Sequence, residues 1–199
     1  MLFSAVPAFS QLVSFGFKGG VPLADPLISS SGGSGGTSHG VHRYVVGVTG
    51  ELHLPFGFSF EVDALYRRLD YDTTFVTFVT TPSEFFETTS TQVTQTHTTG
   101  NDWQFPFLAK YHFKQFALAR PFVDGGVTFR HVNFSGATII SNPNTAGVTV
   151  GGGVGFKLLL LRIAPEIRYT RFPTNIFGPN YNFIRSSPNQ VDFLVGLTF

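Results

Sequence analysis

Alternation dominates this sequence. Val13, Phe15 and Phe17 share one parity, and Ser14, Gly16 and Lys18 the other. The same pattern returns over Tyr44–Leu54, Phe58–Arg67, Trp103–Phe113, Phe122–Arg130, Val150–Lys157, Ile163–Thr170 and Gln190–Phe199. Successive side chains on opposite faces are the signature of a strand, whereas a helix repeats every 3.6 residues. Eight segments of this kind predict eight strands of roughly ten residues each.

The connections alternate as well. Short ones fall near Pro55–Gly57, Lys114–Arg120 and Leu159–Leu161; long polar ones fall near Ala24–Gly40, Thr73–Gly100, Asn133–Ala146 and Pro173–Pro188. Ser30–Gly36 within the first long connection has the composition of a flexible linker. Short turns at one end and long loops at the other describe an up-and-down meander whose ends face different compartments. Eight strands so joined leave both termini at the short-turn end.

Period two does not say which face meets water, and a soluble lipocalin-like carrier would alternate in the same way. Composition separates the readings. The 24 Phe and 16% aromatic content put too much bulk on the apolar face for the interior of an eight-stranded barrel, which side chains barely fill. Charged residues make up 13% of the chain, against roughly 25% in soluble domains. By parity, Lys18, Arg43, Arg67, Lys110, Arg130, Lys157 and Arg168 share the polar face with Glu51, Glu61, Asp63, Asp124, Glu166 and Asp192. Gly16, Gly47, Gly126, Gly151, Gly153, Gly155 and Gly196 share it too, making room in a crowded lumen. Arg68, Asp70 and Arg171 have apolar-face parity but lie at loop ends, where a membrane barrel tolerates charge. Trp103, Tyr169 and Tyr66 mark one rim, and Tyr111, Phe58 and Phe199 the other, as expected of rings at a headgroup boundary. The fold predicted is all-β, an eight-stranded antiparallel up-and-down transmembrane β-barrel. Pro106 and Pro165 lie inside strands, so a bulge or a lost ladder bond is expected beside each.

Several function classes drop out. A net charge of +1 offers no basic footprint for nucleic acid, and the absence of Cys excludes disulfide scaffolds, thiolate metal sites and thiol catalysis. Residues 1–10, with small residues at Ala8 and Ser10, read as the remnant of a secretory signal, leaving residues 11–199 as one barrel domain.

The carboxyl terminus, Val191–Phe199, alternates apolar residues and ends on Phe. With the pattern of residues 11–199, it resembles the eight-stranded bacterial outer-membrane β-barrel family. That group includes the transmembrane domain of outer-membrane protein A and outer-membrane protein X. The resemblance implies a bacterial outer-membrane location and makes Val195, Leu197 and Phe199 an assembly signal read by the barrel-assembly machinery. The chain stops at its last strand, so anchoring of the cell wall by a further domain is not implied.

The candidate sites follow from this frame. Arg43, Glu51, Glu61, Asp63, Arg67, Lys110, Asp124, Arg130, Lys157, Glu166, Arg168 and Asp192 are expected to form a structural charge network. Pairs such as Glu61 or Asp63 with Arg67, Arg130 or Lys110 would plug the lumen, because a buried unpaired charge costs several kcal/mol. An ion path along that network is the competing use. Glu61 and Asp63 could also act as paired general acid and base, but the same spacing arises in any lumen network. His39 and His42 lack a carboxylate at ligand spacing, and each of the six His is expected to be singly solvated. His131–Ser135 matches no catalytic triad spacing. No enzyme activity, metal or cofactor is expected. The Thr-rich stretch from Thr73 to Thr99 reads as a hairpin standing above the membrane, with Phe75, Phe78, Phe85 and Phe86 as candidate partner-binding anchors. Expected partners are outer-membrane lipid, the assembly machinery and an extracellular protein at that hairpin, with no nucleic acid, and the chain is expected to be a monomer. The leading role is structural presentation of surface loops; an adhesin or partner-binding protein, a narrow channel for ions or small solutes, and a lipocalin-like carrier are the alternatives.

Overall fold

The computed structural model describes residues 12–24, 27–29, 35–39, 44–82, 87–116, 118–135, 142–158, 161–173 and 184–199. Eight strands form the barrel: β1 (Val13–Pro22), β4 (Val45–His53), β5 (Phe58–Pro82), β6 (Glu87–His112), β7 (Ala119–Phe134), β8 (Asn144–Leu158), β9 (Leu161–Arg171) and β11 (Asn189–Thr198). Each pairs antiparallel with its neighbour, and the sheet closes where Gly16 of β1 meets Thr198 of β11. The three remaining strands, β2 (Leu27–Ser29), β3 (Gly35–His39) and β10 (Ile184–Ser186), lie in the long connections. Both barrel termini sit at the short-turn end, where the Phe199 amide donates to the Phe15 carbonyl.

The apolar parity points outward on all eight strands. Phe15, Phe17, Val46, Val48, Phe60, Val62, Phe107, Phe129, Val150, Ile167 and Phe193 are exposed, while Lys18, Glu61, Asp63, Lys110, Arg130, Glu166, Arg168 and Asp192 are buried. Such a surface is stable only against hydrocarbon, so the lipocalin-like reading falls. Aromatic pairs mark the two edges of the apolar band. Tyr66 and Trp103 pack at 5.1 Å on the long-loop side, and Phe58 and Tyr111 at 5.0 Å on the other. The Tyr66 and Tyr169 hydroxyls donate to Asn101 and Asn189 at the loop rim, their rings staying in the band.

Both prolines interrupt their ladders without bulging them. Pairing of β5 with β6 skips from Val62↔Phe107 to Leu65↔Gln104, opposite Pro106, and resumes in the same register. Pairing of β8 with β9 skips in the same way from Gly153↔Glu166 to Phe156↔Ile163, opposite Pro165. The missing N–H costs ladder bonds, not register. In the turn between β4 and β5, Phe56 adopts φ 65° and ψ 17°, a left-handed conformation unfavourable for a side chain with Cβ.

The described parts of the long connections contain paired strands. β5 and β6 pair in one register out to Pro82↔Glu87, so the Thr-rich segment is a hairpin continuing the barrel wall. β3 joins its edge, Gly35–His39 lying antiparallel to Tyr71–Phe75. The glycines at 35 and 36, expected to be linker, are therefore strand; their backbone groups complete a ladder that needs no side chain. Residues 1–11, Arg43, His42, Phe85 and Phe86 lie outside the described residues, so the signal remnant and those site positions are not placed.

Candidate functional site

Along β5 the inward side chains Ser59, Glu61, Asp63, Leu65 and Arg67 climb the lumen from the short-turn end. They mark three tiers of polar chemistry. In the middle tier, Lys18 Nζ lies 2.6 Å from Glu61 Oε1, 3.1 Å from Asp63 Oδ2 and 3.4 Å from Glu166 Oε2. Arg168 reaches from β9 to Asp63 at 2.8 Å, Glu61 at 2.9 Å and Glu166 at 2.5 Å, and Lys110 completes the cluster on Glu61. Three cations thus meet three carboxylates. Direct pairing is what makes burying them tolerable, since any one left alone would carry the full desolvation cost. Asp124 lies at the same level, buried, with both carboxylate oxygens lacking a hydrogen-bond partner in the protein.

The upper tier is a second neutral set. Arg67 Nη2 donates to both oxygens of Asp192 at 3.0 and 2.9 Å, and Arg130 Nε donates to Asp102 Oδ1 at 3.0 Å. Gln104 bridges Asp102 to Gln190, both at 3.0 Å. Above them, Leu69, Val132, Phe134 and Phe172 are buried, with the Phe172 ring 5.2 Å from the Arg130 guanidinium. Glycines on neighbouring strands seat these rings. A Cβ on Gly147 would come within 2.8 Å of the Phe172 ring, and one on Gly100 within 2.3 Å of the Phe134 ring. A ladder of hydroxyls, Thr128–Thr149–Thr170, lines the wall between the tiers at 2.5 and 3.0 Å.

The lower tier sits at the short-turn mouth. Glu51 Oε1 accepts from Ser59 Oγ at 2.6 Å and contacts His112 Nε2 at 2.7 Å, while Arg162 Nη1 lies 3.1 Å from His53 Nε2. A cavity of about 30 Å³ separates this tier from the middle one, room for little more than a water molecule or two.

Of the residues assigned to the network, Glu51, Glu61, Asp63, Arg67, Lys110, Asp124, Arg130, Glu166, Arg168 and Asp192 are buried, and Lys18, which was not among them, lies at the centre of the middle tier. Glu61 pairs with Lys110, whereas Arg67 and Arg130 turn to Asp192 and Asp102. Asp102 escaped notice because it follows a polar run and sits one residue before the apolar alternation begins. Lys157, placed in the network by parity, is exposed at the turn end of β8 and joins none of the ion pairs described. The expectation of singly solvated histidines fails at the four whose side chains are described, His53, His97, His112 and His131. His112 is buried against Glu51, His53 is half-buried beside it, His97 bonds Asp72 at 2.6 Å, and His131 bonds Asn144 at 2.7 Å. Strand pairing, which parity alone does not supply, brings these partners together. On the hairpin, the backbones of Phe75 and Phe78 pair in register with Thr94 and Thr91 of the β5–β6 ladder, and their side chains lie outside what the structure describes. Leu197 and Phe199, of the terminal motif, face outward and are exposed, and Val195 is half-exposed beside them.

The family model of the outer membrane protein β-barrel domain matches residues 9–178. Among solved structures, the chain is similar to the crystal structure of Neisserial surface protein A (NspA), with a TM-score of 0.55 and 13% sequence identity over 95% of this chain and 96% of that one. Identity at that level speaks for the fold alone. No curated protein matches the sequence closely.

Proposed function

The chain belongs to the outer-membrane β-barrel family and resides in a bacterial outer membrane, and from that premise we propose that it is a closed, non-enzymatic barrel whose work is to present a rigid hairpin outside the cell. The observation that carries this reading is the continuation of the β5–β6 ladder past the Tyr66–Trp103 girdle to Pro82↔Glu87. That run is about 50 Å of paired strand. Neutral ion-pair tiers and the Leu69–Phe134–Phe172 layer favour a plug over a conducting path. Planar-bilayer recordings of the refolded chain test it together with protease treatment of intact cells. Support would be an electrically silent barrel whose hairpin is cleaved from outside. Stepwise conductance, or a hairpin protected in intact cells, would overturn it.

Partner binding by the hairpin is a second reading with its own support. Along residues 91–97, β6 pairs with no strand on the side away from β5 among the described residues, and all seven are exposed. Such an edge can accept a partner's strand. Phe75→Ser with Phe78→Ser should abolish capture of an extracellular protein while leaving membrane insertion intact.

A further inference from the structure

The lower tier holds a group of side chains that the plug does not require. Glu51 and His53 alternate on β4 so that both face inward, and His112 ends β6, two strands away across β5. Donor atoms of all three lie within 4.8 Å of one another. Around Glu51 Oε1 the distances are 2.7 Å to His112 Nε2 and 3.7 Å to His53 Nε2. Ligands held tetrahedrally at zinc bond lengths stand about 3.4 Å apart, so modest side-chain rotation brings the three onto one ion.

Three further observations point the same way. Ser59 Oγ donates to Glu51 at 2.6 Å, the outer-shell hydrogen bond that fixes a ligating carboxylate. The cavity of about 30 Å³ touches Glu51 and His112 and has room for a water as fourth ligand. Arg162 Nη1, a donor only, lies 3.1 Å from His53 Nε2, so that nitrogen presents its lone pair inward. The guanidinium therefore competes with an ion for that lone pair and must swing aside.

We propose that Glu51, His53 and His112 form a binding site for a divalent transition metal, zinc first among them, at the short-turn mouth of the lumen. Two imidazoles and one carboxylate suit borderline zinc, whereas calcium or magnesium would call for more oxygen ligands. Bound there, the ion ties β4 to β6 across β5 and closes the periplasmic end of the barrel. The site is independent of the hairpin and of whether the upper tiers conduct.

The test is calorimetric titration of zinc chloride into the tag-free full chain refolded in detergent, with gel heat-modifiability confirming that each variant is folded. One zinc per barrel is expected. His53→Ala and His112→Ala should each weaken binding by about tenfold or more, and Arg162→Gln should tighten it. Cobalt(II) should give the visible absorption of a tetrahedral site in the parent and lose it in His53→Ala. His97→Ala, His131→Ala and a combined His39→Ala, His42→Ala variant should bind as the parent does. Absence of binding, or affinity that survives both His53→Ala and His112→Ala, would overturn the proposal. So would binding that follows the loop histidines. Should His112→Ala not fold, His53→Ala and Arg162→Gln carry the same decision.

Discussion

Glu61 is the residue whose loss should be felt most. Its carboxylate faces Lys18 at 2.6 Å, Arg168 at 2.9 Å, and Lys110, in a tier where three cations meet three carboxylates. Glu61→Gln keeps the shape and removes the carboxylate that Lys18, Arg168 and Lys110 share, leaving Lys110 without a partner among the ion pairs described, with all four side chains at most 4% exposed. Breaking a buried pair by removing one partner costs about 3–5 kcal/mol. At 1.4 kcal/mol per decade, the lower end is already more than a hundredfold in the unfolding equilibrium. Urea unfolding from phospholipid vesicles, followed by the fluorescence of Trp103, the sole tryptophan, reads this directly. Adding Lys18→Met removes one of the cations left without that carboxylate, so the double variant should be more stable than the sum of the singles by about 1.5 kcal/mol or more. Additive singles, or Glu61→Gln within about 0.5 kcal/mol of the parent, would refute the argument that ion pairing holds the lumen together.

Other perturbations separate the parts of the account. Asp124→Asn should leave urea stability unchanged or raise it, because the carboxylate it neutralises has no hydrogen-bond partner. Phe172→Ala should cost about 3–5 kcal/mol in the same assay by opening a cavity in the layer over the upper tier. Gly147→Val should be comparably harmful, since its side chain would collide with that ring. Deleting Phe199 should slow assembly in cells, measured by pulse-chase appearance of the heat-modifiable form, if the terminal motif is the assembly signal.

The orientation of every barrel strand was legible because period two is a local property. Phe15 and Lys18 declare their faces from neighbours two residues away, and the girdles at Tyr66–Trp103 and Phe58–Tyr111 follow once strand ends are placed. The prolines were legible for the same reason, as a missing N–H acts where it stands. Which inward residues meet was not legible. Arg168 finds Asp63 across the lumen, and His112 finds Glu51 past an intervening strand, because barrel closure and stagger set those distances. Strand β3 was hidden by glycine and serine, whose side chains carry no alternation while their backbone pairs with Tyr71–Phe75.

The most direct test compares arginine at two exposed valines. Val62 lies in the outward band midway between Phe58 and Tyr66 on β5, and Val93 lies on β6 in the hairpin beyond the girdle. If the outward face meets hydrocarbon, Val62→Arg should cost about 2–4 kcal/mol in vesicle unfolding, while Val93→Arg should stay within about 1 kcal/mol of the parent. Equal costs at the two positions, with a chain that remains folded and monomeric without detergent, would contradict a membrane-spanning barrel that presents its hairpin to water.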